Sequence, residues 1–267
     1  MTVDLIITTY NRPDALECVL KSIMHQTILP NQVIIADDGS GKETEELINR
    51  YQINFPTKLI HSWQEDIGFR AAESRNLALS KVVSQYVIII DGDIILEEHF
   101  IADHLEFALP GYFLQGGRVL MTEVKSKEIL KDLPERLKVN IFDSSLESRL
   151  EKRLTAFRSK FLGKIFARKL KDMSKIRSCN MSFFFADVKK INGFNNKLVG
   201  WGREDSEFAE RLINSGIKGK LIKFIALGYH IYHREESKAS LPKNDLILED
   251  TIQNKRIYCE DGLLKFL

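Results

Sequence analysis

The sequence predicts a single α/β domain, a mixed and mostly parallel β-sheet flanked by helices, with a basic helical insertion. Two observations carry this. The first hundred residues alternate short β-rich runs with helical patterns, the mark of βαβ units. The chain of 267 residues, 44% hydrophobic and 28% charged, is also long enough to bury a core without disulfides or metals. That composition excludes a chain disordered throughout, a collagen-like repeat and a coiled coil.

In chain order, strands are predicted at Val3–Thr8, Gln32–Ala36, Lys58–His61 and Tyr86–Asp91. Pro13 lies just inside a helical pattern carrying Leu16, Val19, Leu20 and Ile23, where proline suits the first turn. The turn-forming cluster Asp37-Asp38-Gly39-Ser40-Gly41 leads into a helix around Glu43–Tyr51. Both junctions fall at carboxyl ends of strands, where open α/β sheets bind ligands.

Between Arg149 and Arg177 there are 11 basic residues against two acidic ones, a net of +9 that the whole-chain value of +2 conceals. Leu150, Leu154, Phe157, Phe161, Ile165, Leu170 and Met173 recur there mostly at spacings of three to five, as an amphipathic helix places them. A solvated helix face, a nucleic-acid patch and a surface helix drawn to anionic lipid all fit such a segment. The Leu/Phe stripe favours lipid, and no nucleic-acid fold motif accompanies it. The expected organisation is one domain with a first half at 1–121, the insertion at 122–177, a second half at 178–236 and a tail at 237–267. Three cysteines without a CxxC pair suggest neither a disulfide framework nor a zinc site, and fit a reducing compartment. The start of the chain lacks a basic region ahead of an apolar stretch, and apolar runs are far shorter than a bilayer span. The expected location is the cytoplasm, peripheral on the inner face of the membrane.

The most informative local feature is Tyr86-Val-Ile-Ile-Ile-Asp91-Gly92-Asp93, an apolar strand delivering two carboxylates to its end. A hard divalent cation takes such oxygen ligands and leaves positions open for phosphates. An Asp-Gly turn that merely ends the strand is the local alternative.

The pattern does not stand alone. Ile6-Ile-Thr8-Thr9-Tyr10-Asn11-Arg12-Pro13, then Val33-Ile-Ile-Ala-Asp37-Asp38-Gly39-Ser40, then Gly68-Phe69-Arg70 with Arg75-Asn76, then Asp91-Gly92-Asp93, resembles in this order the family 2 glycosyltransferases of the GT-A type. The resemblance implies that Thr8 and Asp38 contact the uracil of a UDP-sugar, with Tyr10, Arg12, Arg70 and Gly92 in the same nucleotide-sugar site. It puts Arg75 near the ribose or diphosphate, Asp91 near the ribose and metal, and Asp93 on the metal, Mn²⁺ or Mg²⁺. The chemistry agrees: a carboxylate accepts from the imide N–H of uracil, and a cation offsets charge on departing UDP.

Downstream, Gly200-Trp201-Gly202-Arg203-Glu204-Asp205 resembles the Trp-Gly-x-Glu-Asp motif of β-1,4-galactosyltransferases and bacterial chondroitin-type polymerases. By that resemblance Asp205 is the base that takes the acceptor hydroxyl proton, Glu204 orients the acceptor and Trp201 stacks beneath it. Gly202 and Asn180 then line the same cleft. Arg203 departs from the pattern, which usually has a small residue there, and leaves the sugar open. The resemblance also implies that a histidine of Gly228-Tyr-His230-Ile-Tyr-His233 completes the metal shell, with His233 the closer match and His230 the reserve. His25, His61, His99 and His104 are assigned no chemistry.

The expected function is an inverting, metal-dependent transfer of a hexose or N-acetylhexosamine, galactose-type favoured, from a UDP-sugar to a glycan or lipid-linked glycan acceptor. Bacterial surface polysaccharide synthesis is the expected setting. No nucleic-acid partner is expected. The rivals are a nucleotidyltransferase, which lacks a glycine-rich activating loop here, and a catalytically idle glycan-binding or membrane-tethering protein of the same fold.

Overall fold

A computed structural model of the chain describes residues 1–135, 137, 139, 156–170, 172–173, 176–233 and 238–267. Strands β1 (Val3–Thr9), β2 (Gln32–Asp37), β3 (Lys58–Trp63) and β4 (Tyr86–Asp91) match the predicted positions to within two residues. Helix α1 (Pro13–Met24) starts on its proline, and α2 (Lys42–Asn54) extends the predicted helix at both ends.

The main sheet has eight strands in the order β3-β2-β1-β4-β9-β6-β10-β8, where β6 is Tyr112–Gln115, β8 Arg168–Lys169, β9 Asn180–Phe184 and β10 Lys218–Leu221. Strands β1 to β4 are parallel, whereas β9 runs antiparallel between β4 and β6. Alternation along β1 sends Leu5 and Ile7 to one face and Ile6 to the other, so both faces are apolar, as a sheet covered on both sides requires. One face buries α1, α2 and α4 (Phe100–Phe107). The opposite face buries α3 (Ala71–Leu79), α7 (Phe185–Lys190) and α8 (Glu204–Asn214).

A second sheet of three short strands, β5 (Ile94–Leu96), β11 (Gly228–His230) and β7 (Arg118–Leu120), folds beside α1 and α5 (Glu123–Asp132). It brings the chain just after β4 against the chain near residue 230, and this positions the site.

The basic span does not form one continuous helix among the described residues. It contains α6 (Lys160–Phe166), turns extended at Ala167 and pairs as β8 with β10. Arg149, Lys152, Arg153, Lys171 and Lys175, with Leu150 and Leu154, lie outside the described residues. Among the described residues no helix is long and apolar enough to cross a membrane.

Candidate active site

The ends of β1 and β4 lie in register, Thr8 opposite Asp91. Thr8 Oγ1 donates to Asp91 Oδ1 at 2.9 Å and the Gly92 amide donates to the Thr8 carbonyl at 2.7 Å, so this junction is tightly tied. Beside it, the two carboxylates after β2 separate in role. Asp37 is buried, takes the Ser40 amide at 2.8 Å and lies 2.8 Å from His61 Nε2, which fixes the turn. Asp38 faces the cleft, accepting from Gln64 Nε2 at 2.6 Å and the Arg70 amide at 2.7 Å; burial raises its pKa above the ordinary aspartate value. Tyr10 donates to Asp66 Oδ2 at 2.9 Å and Arg12 pairs with Asp14 at 3.1 Å, both at the cleft wall. The Arg70 guanidinium turns away to Glu73 and the Glu65 carbonyl, so only its backbone amide serves the site.

Opposite lies α8. Arg203, at φ +80, precedes it, and Glu204 and Asp205 occupy its first turn, where the helix dipole favours negative charge. Arg75 of α3, only 5% exposed, reaches three carboxylates: Nη1 is 3.3 Å from Glu204 and 3.4 Å from Asp205, and Nη2 is 3.7 Å from Asp91. Burial opposes its charge, but Asp205, Glu204 and Asp91 more than offset this and raise its pKa. Burial, and then the charge of Asp205, pushes the Glu204 carboxyl up to about 7 against the pull of Arg75. Asp205 Oδ2 accepts the Ser178 amide at 2.9 Å, while Oδ1 is buried without a hydrogen bond. One turn on, Glu207 and Arg211 form a buried pair at 2.8 Å, and Arg211 also donates to the Ile191 and Gly193 carbonyls. Glu207 is therefore structural.

At the third corner, the pairing of β5 with β11 sets Asp93 against the end of β11, where the Ile231 amide donates to the Asp93 carbonyl at 3.0 Å. His230 Nε2 lies 3.5 Å from Asp93 Oδ1 and His233 Nε2 lies 3.3 Å from Oδ2. All three are close enough to share one metal ion. Desolvation and the neighbouring Asp91 push the Asp93 carboxyl up to about 7, and burial pushes the His230 pKa down to about 3. Both histidines reach the carboxylate, so His230 joins the set.

These groups line one cleft of about 790 Å³, which also takes in Trp201, Gly202, Arg118, Arg177, Tyr232 and Leu241. Arg118, Arg177 and Leu241 carry no site motif, and Tyr232 stands within the histidine motif without a role of its own in the sequence reading. Asn180 is elsewhere. It is fully buried beneath the cleft, with Nδ2 donating to the Gly117 and Ala226 carbonyls and Oδ1 facing His104 Nε2 at 2.9 Å. Among the described residues, Thr9, Ser74, Arg75, Asp93 and Asp205 each line the cleft and bury a polar side-chain atom without a hydrogen bond. Groups of that kind in a folded protein call for a partner.

The family model described as glycosyl transferase family 2 matches residues 4–186, more than half of the chain. The chain belongs to glycosyl transferase family 2. A second model, the N-terminal domain of galactosyltransferase, matches residues 166–234, the stretch that holds Trp201 to Asp205 and the two histidines beside Asp93. Among family relatives, chondroitin synthase of Escherichia coli is 26% identical over 254 residues, covering 86% of this chain and 34% of that protein. Hyaluronan synthase of Pasteurella multocida is 27% identical, covering 86% and 24%. The chain thus spans about a third or less of the length of these relatives. Validoxylamine A glucosyltransferase of Streptomyces hygroscopicus subsp. limoneus is 25% identical, covering 80% and 48%. The solved structure of S. aureus TarS 1-349 in complex with UDP-GlcNAc shares the fold, with a TM-score of 0.63 at 15% identity, over 100% of this chain and 69% of that one.

Proposed function

We propose that the cleft transfers a hexose or N-acetylhexosamine from a UDP-sugar to a hydroxyl of a glycan acceptor, with inversion at the anomeric carbon and with a divalent cation. The observation that carries this reading is the meeting of three groups in one cleft: the nucleotide-side Asp38 and Thr8, the Asp93–His230–His233 cluster, and the Glu204–Asp205 helix start. The UDP-sugar is supported by the fold shared with TarS in its UDP-GlcNAc complex. Polysaccharide synthesis is supported by the chondroitin and hyaluronan synthases among the relatives.

In this reading the acceptor oxygen attacks the anomeric carbon as the bond from that carbon to the β-phosphate oxygen breaks, and its electron pair leaves with UDP. Asp205 Oδ1, which lacks a hydrogen bond, takes the acceptor proton as the new C–O bond forms. Arg75 holds Asp205 in place, its guanidinium within ion-pair distance of that oxygen. Glu204, with its raised pKa, is suited to hydrogen-bond an acceptor hydroxyl in its protonated form. Arg12, Arg118 and Arg177 line the same cleft and supply positive charge toward a diphosphate.

The donor set fits a divalent ion. Asp93 Oδ1 is buried without a hydrogen bond, and a neutral imidazole stands beside it. One carboxylate with two imidazoles suits Mn²⁺ better than Mg²⁺, which favours oxygen ligands throughout. When bound, such an ion supplies charge compensation to the leaving diphosphate.

Titration calorimetry with UDP tests the reading. Binding should be strong with Mn²⁺ and weakened at least about tenfold by excess chelator or by Asp93→Ala, since losing even a group that supports a metal ligand costs that much. Equal affinity under all three conditions removes the metal, and no UDP binding at all removes the donor.

The location we propose is an anionic membrane surface, contacted through the 149–177 span. Its support is the cluster of Phe157, Phe161 and Ile165, exposed at 52%, 72% and 57%, beside exposed Lys164, Arg168 and Lys169.

A further inference from the structure

Both family matches, ending at residues 186 and 234, stop before the last α-helix among the described residues. That helix, α9 (Leu241–Gln253), opens with a proline in its first turn, which fixes where it begins. It begins directly against the Trp201 loop. Gly200 and Gly202 have φ of +81° and +102°, and a Cβ on either would lie 2.0 Å from Ser240 Oγ or 2.7 Å from Leu241 Cδ2. Both positions therefore exclude a side chain twice over, by backbone conformation and by the helix start packed on the loop.

Polar contacts complete the mount. Asn244 is fully buried, and its Nδ2 donates to the Gly202 carbonyl at 2.9 Å and to the Val199 carbonyl at 3.3 Å. Arg203, the non-glycine residue held at φ +80, donates through Nε to Asp245 Oδ1 at 2.5 Å. A side chain in that backbone region persists only where its surroundings hold it there. The Lys238 ammonium lies 5.8 Å from the centroid of the Trp201 ring. At the far end of the helix, Thr251 Oγ1 donates to Glu207 Oε1 of α8 at 3.2 Å, so α9 grips the element carrying Glu204 and Asp205 as well as the loop before it. Leu241 and Trp201 both line the cleft. An indole beside an aliphatic side chain suits the C–H face of a pyranose ring.

We propose that α9 is the positioning element of the Trp201 loop. Asn244 and Asp245 hold Gly202 and Arg203 so that Trp201 and Asp205 face the sugar acceptor, and Leu241 forms the wall beside it. The assignment of the acceptor side rests on the transferase reading above. Asn244 and Asp245 are positioning residues, and neither touches the reacting atoms.

The Trp63→Phe background leaves Trp201 as the sole tryptophan of the chain. In it, Asn244→Ala should raise acrylamide quenching of Trp201 about two-fold and lower kcat for hydrolysis of UDP-N-acetylglucosamine or UDP-galactose roughly 10- to 100-fold, the scale of an ångström-sized misplacement. The Kd for UDP with Mn²⁺ should stay within about three-fold, because the loop is held apart from the nucleotide side. Asn244→Gln, which keeps the amide donors, should recover part of kcat. Asp245→Ala, at a partly exposed position, should move both readouts in the same direction and stands in if Asn244→Ala does not fold. Unchanged quenching and kcat in the folded variants, or UDP affinity falling in parallel with kcat, overturns the proposal. A wild-type protein that neither binds UDP nor hydrolyses either donor overturns the transferase reading instead, and the quenching measurement still decides whether α9 holds the loop.

Discussion

The guanidinium of Arg75 lies 3.4 Å from the Asp205 carboxylate, joining a helix of the first half of the chain to one of the second. It also meets Glu204 and Asp91 and stacks 5.4 Å from the centroid of the Phe194 ring. Removing one partner of a buried ion pair leaves the others uncompensated. Arg75→Met should therefore lower unfolding stability by about 3 kcal/mol or more. Arg75→Lys should keep part of that stability, because a point charge cannot span the same carboxylates as a fork. Urea unfolding at pH 7 measures both, and equal stability of wild type and Arg75→Met would show that the carboxylates are relieved by protonation.

Asp205→Asn keeps the shape of the side chain and removes its basic site. Donor binding makes no use of that base, so UDP affinity should hold within a few-fold while turnover falls on the order of 10²-fold, the lower range for a lost acid–base group. Near-normal turnover would exclude Asp205 as the base and point to Glu204. Lost UDP binding would make Asp205 part of the nucleotide side.

What the sequence made legible was local. β4 is a continuous apolar run and β1 is one from Leu5 to Ile7, and each ends in the polar residues that face the cleft, so position and role could be read together. His230 could not be ranked with His233, because their meeting at Asp93 depends on β5 pairing with β11 more than a hundred residues away. Asn180 was misplaced by one step of strand alternation: Cys179 lines the cleft and its neighbour turns inward to His104. The basic span read as one helix because its apolar spacing is helical, yet the edge of the sheet takes Arg168 and Lys169 as a strand. Arg118, Leu241 and Asn244 belong to no local pattern, and only the tertiary fold gives them a place.

The exposed Phe157, Phe161 and Ile165 predict a measurable vesicle affinity. Each basic residue near an anionic leaflet contributes on the order of 1 kcal/mol, and salt screens that attraction. The protein should co-sediment with phosphatidylglycerol vesicles at low salt, bind phosphatidylcholine weakly, and lose binding in Phe161→Asp. Protein left wholly in the supernatant at low salt would remove the membrane from the account, and a dimer seen by analytical ultracentrifugation would give these side chains another cover.

The last prediction concerns His104, a fully buried histidine under the cleft. The Asn180 amide donates both hydrogens to carbonyls, so its Oδ1 must accept, and His104 Nε2 carries the proton. Nδ1 then accepts from Ser182 Oγ at 2.8 Å, and Ser182 in turn accepts from Tyr86. A second ring proton would break this chain, and burial pushes the His104 pKa down to about 4. An unfolded histidine titrates at about 6.5, so below that pH the unfolded state binds more protons and stability falls with falling pH. The full effect develops as pH drops from the unfolded value toward about 4. Between pH 7 and pH 5 it amounts to roughly 2 kcal/mol from this one group. His104→Gln cannot titrate. It should be less stable than wild type at pH 7 but lose about 2 kcal/mol less on acidification, so urea midpoints of the two proteins converge as pH falls. Parallel stability curves over this window would mean that the imidazole titrates in the fold as it does unfolded, and a wild type that gains stability relative to His104→Gln on acidification would mean that it is already charged; either would force the tautomer assigned to the Tyr86–Ser182–His104–Asn180 chain to be abandoned.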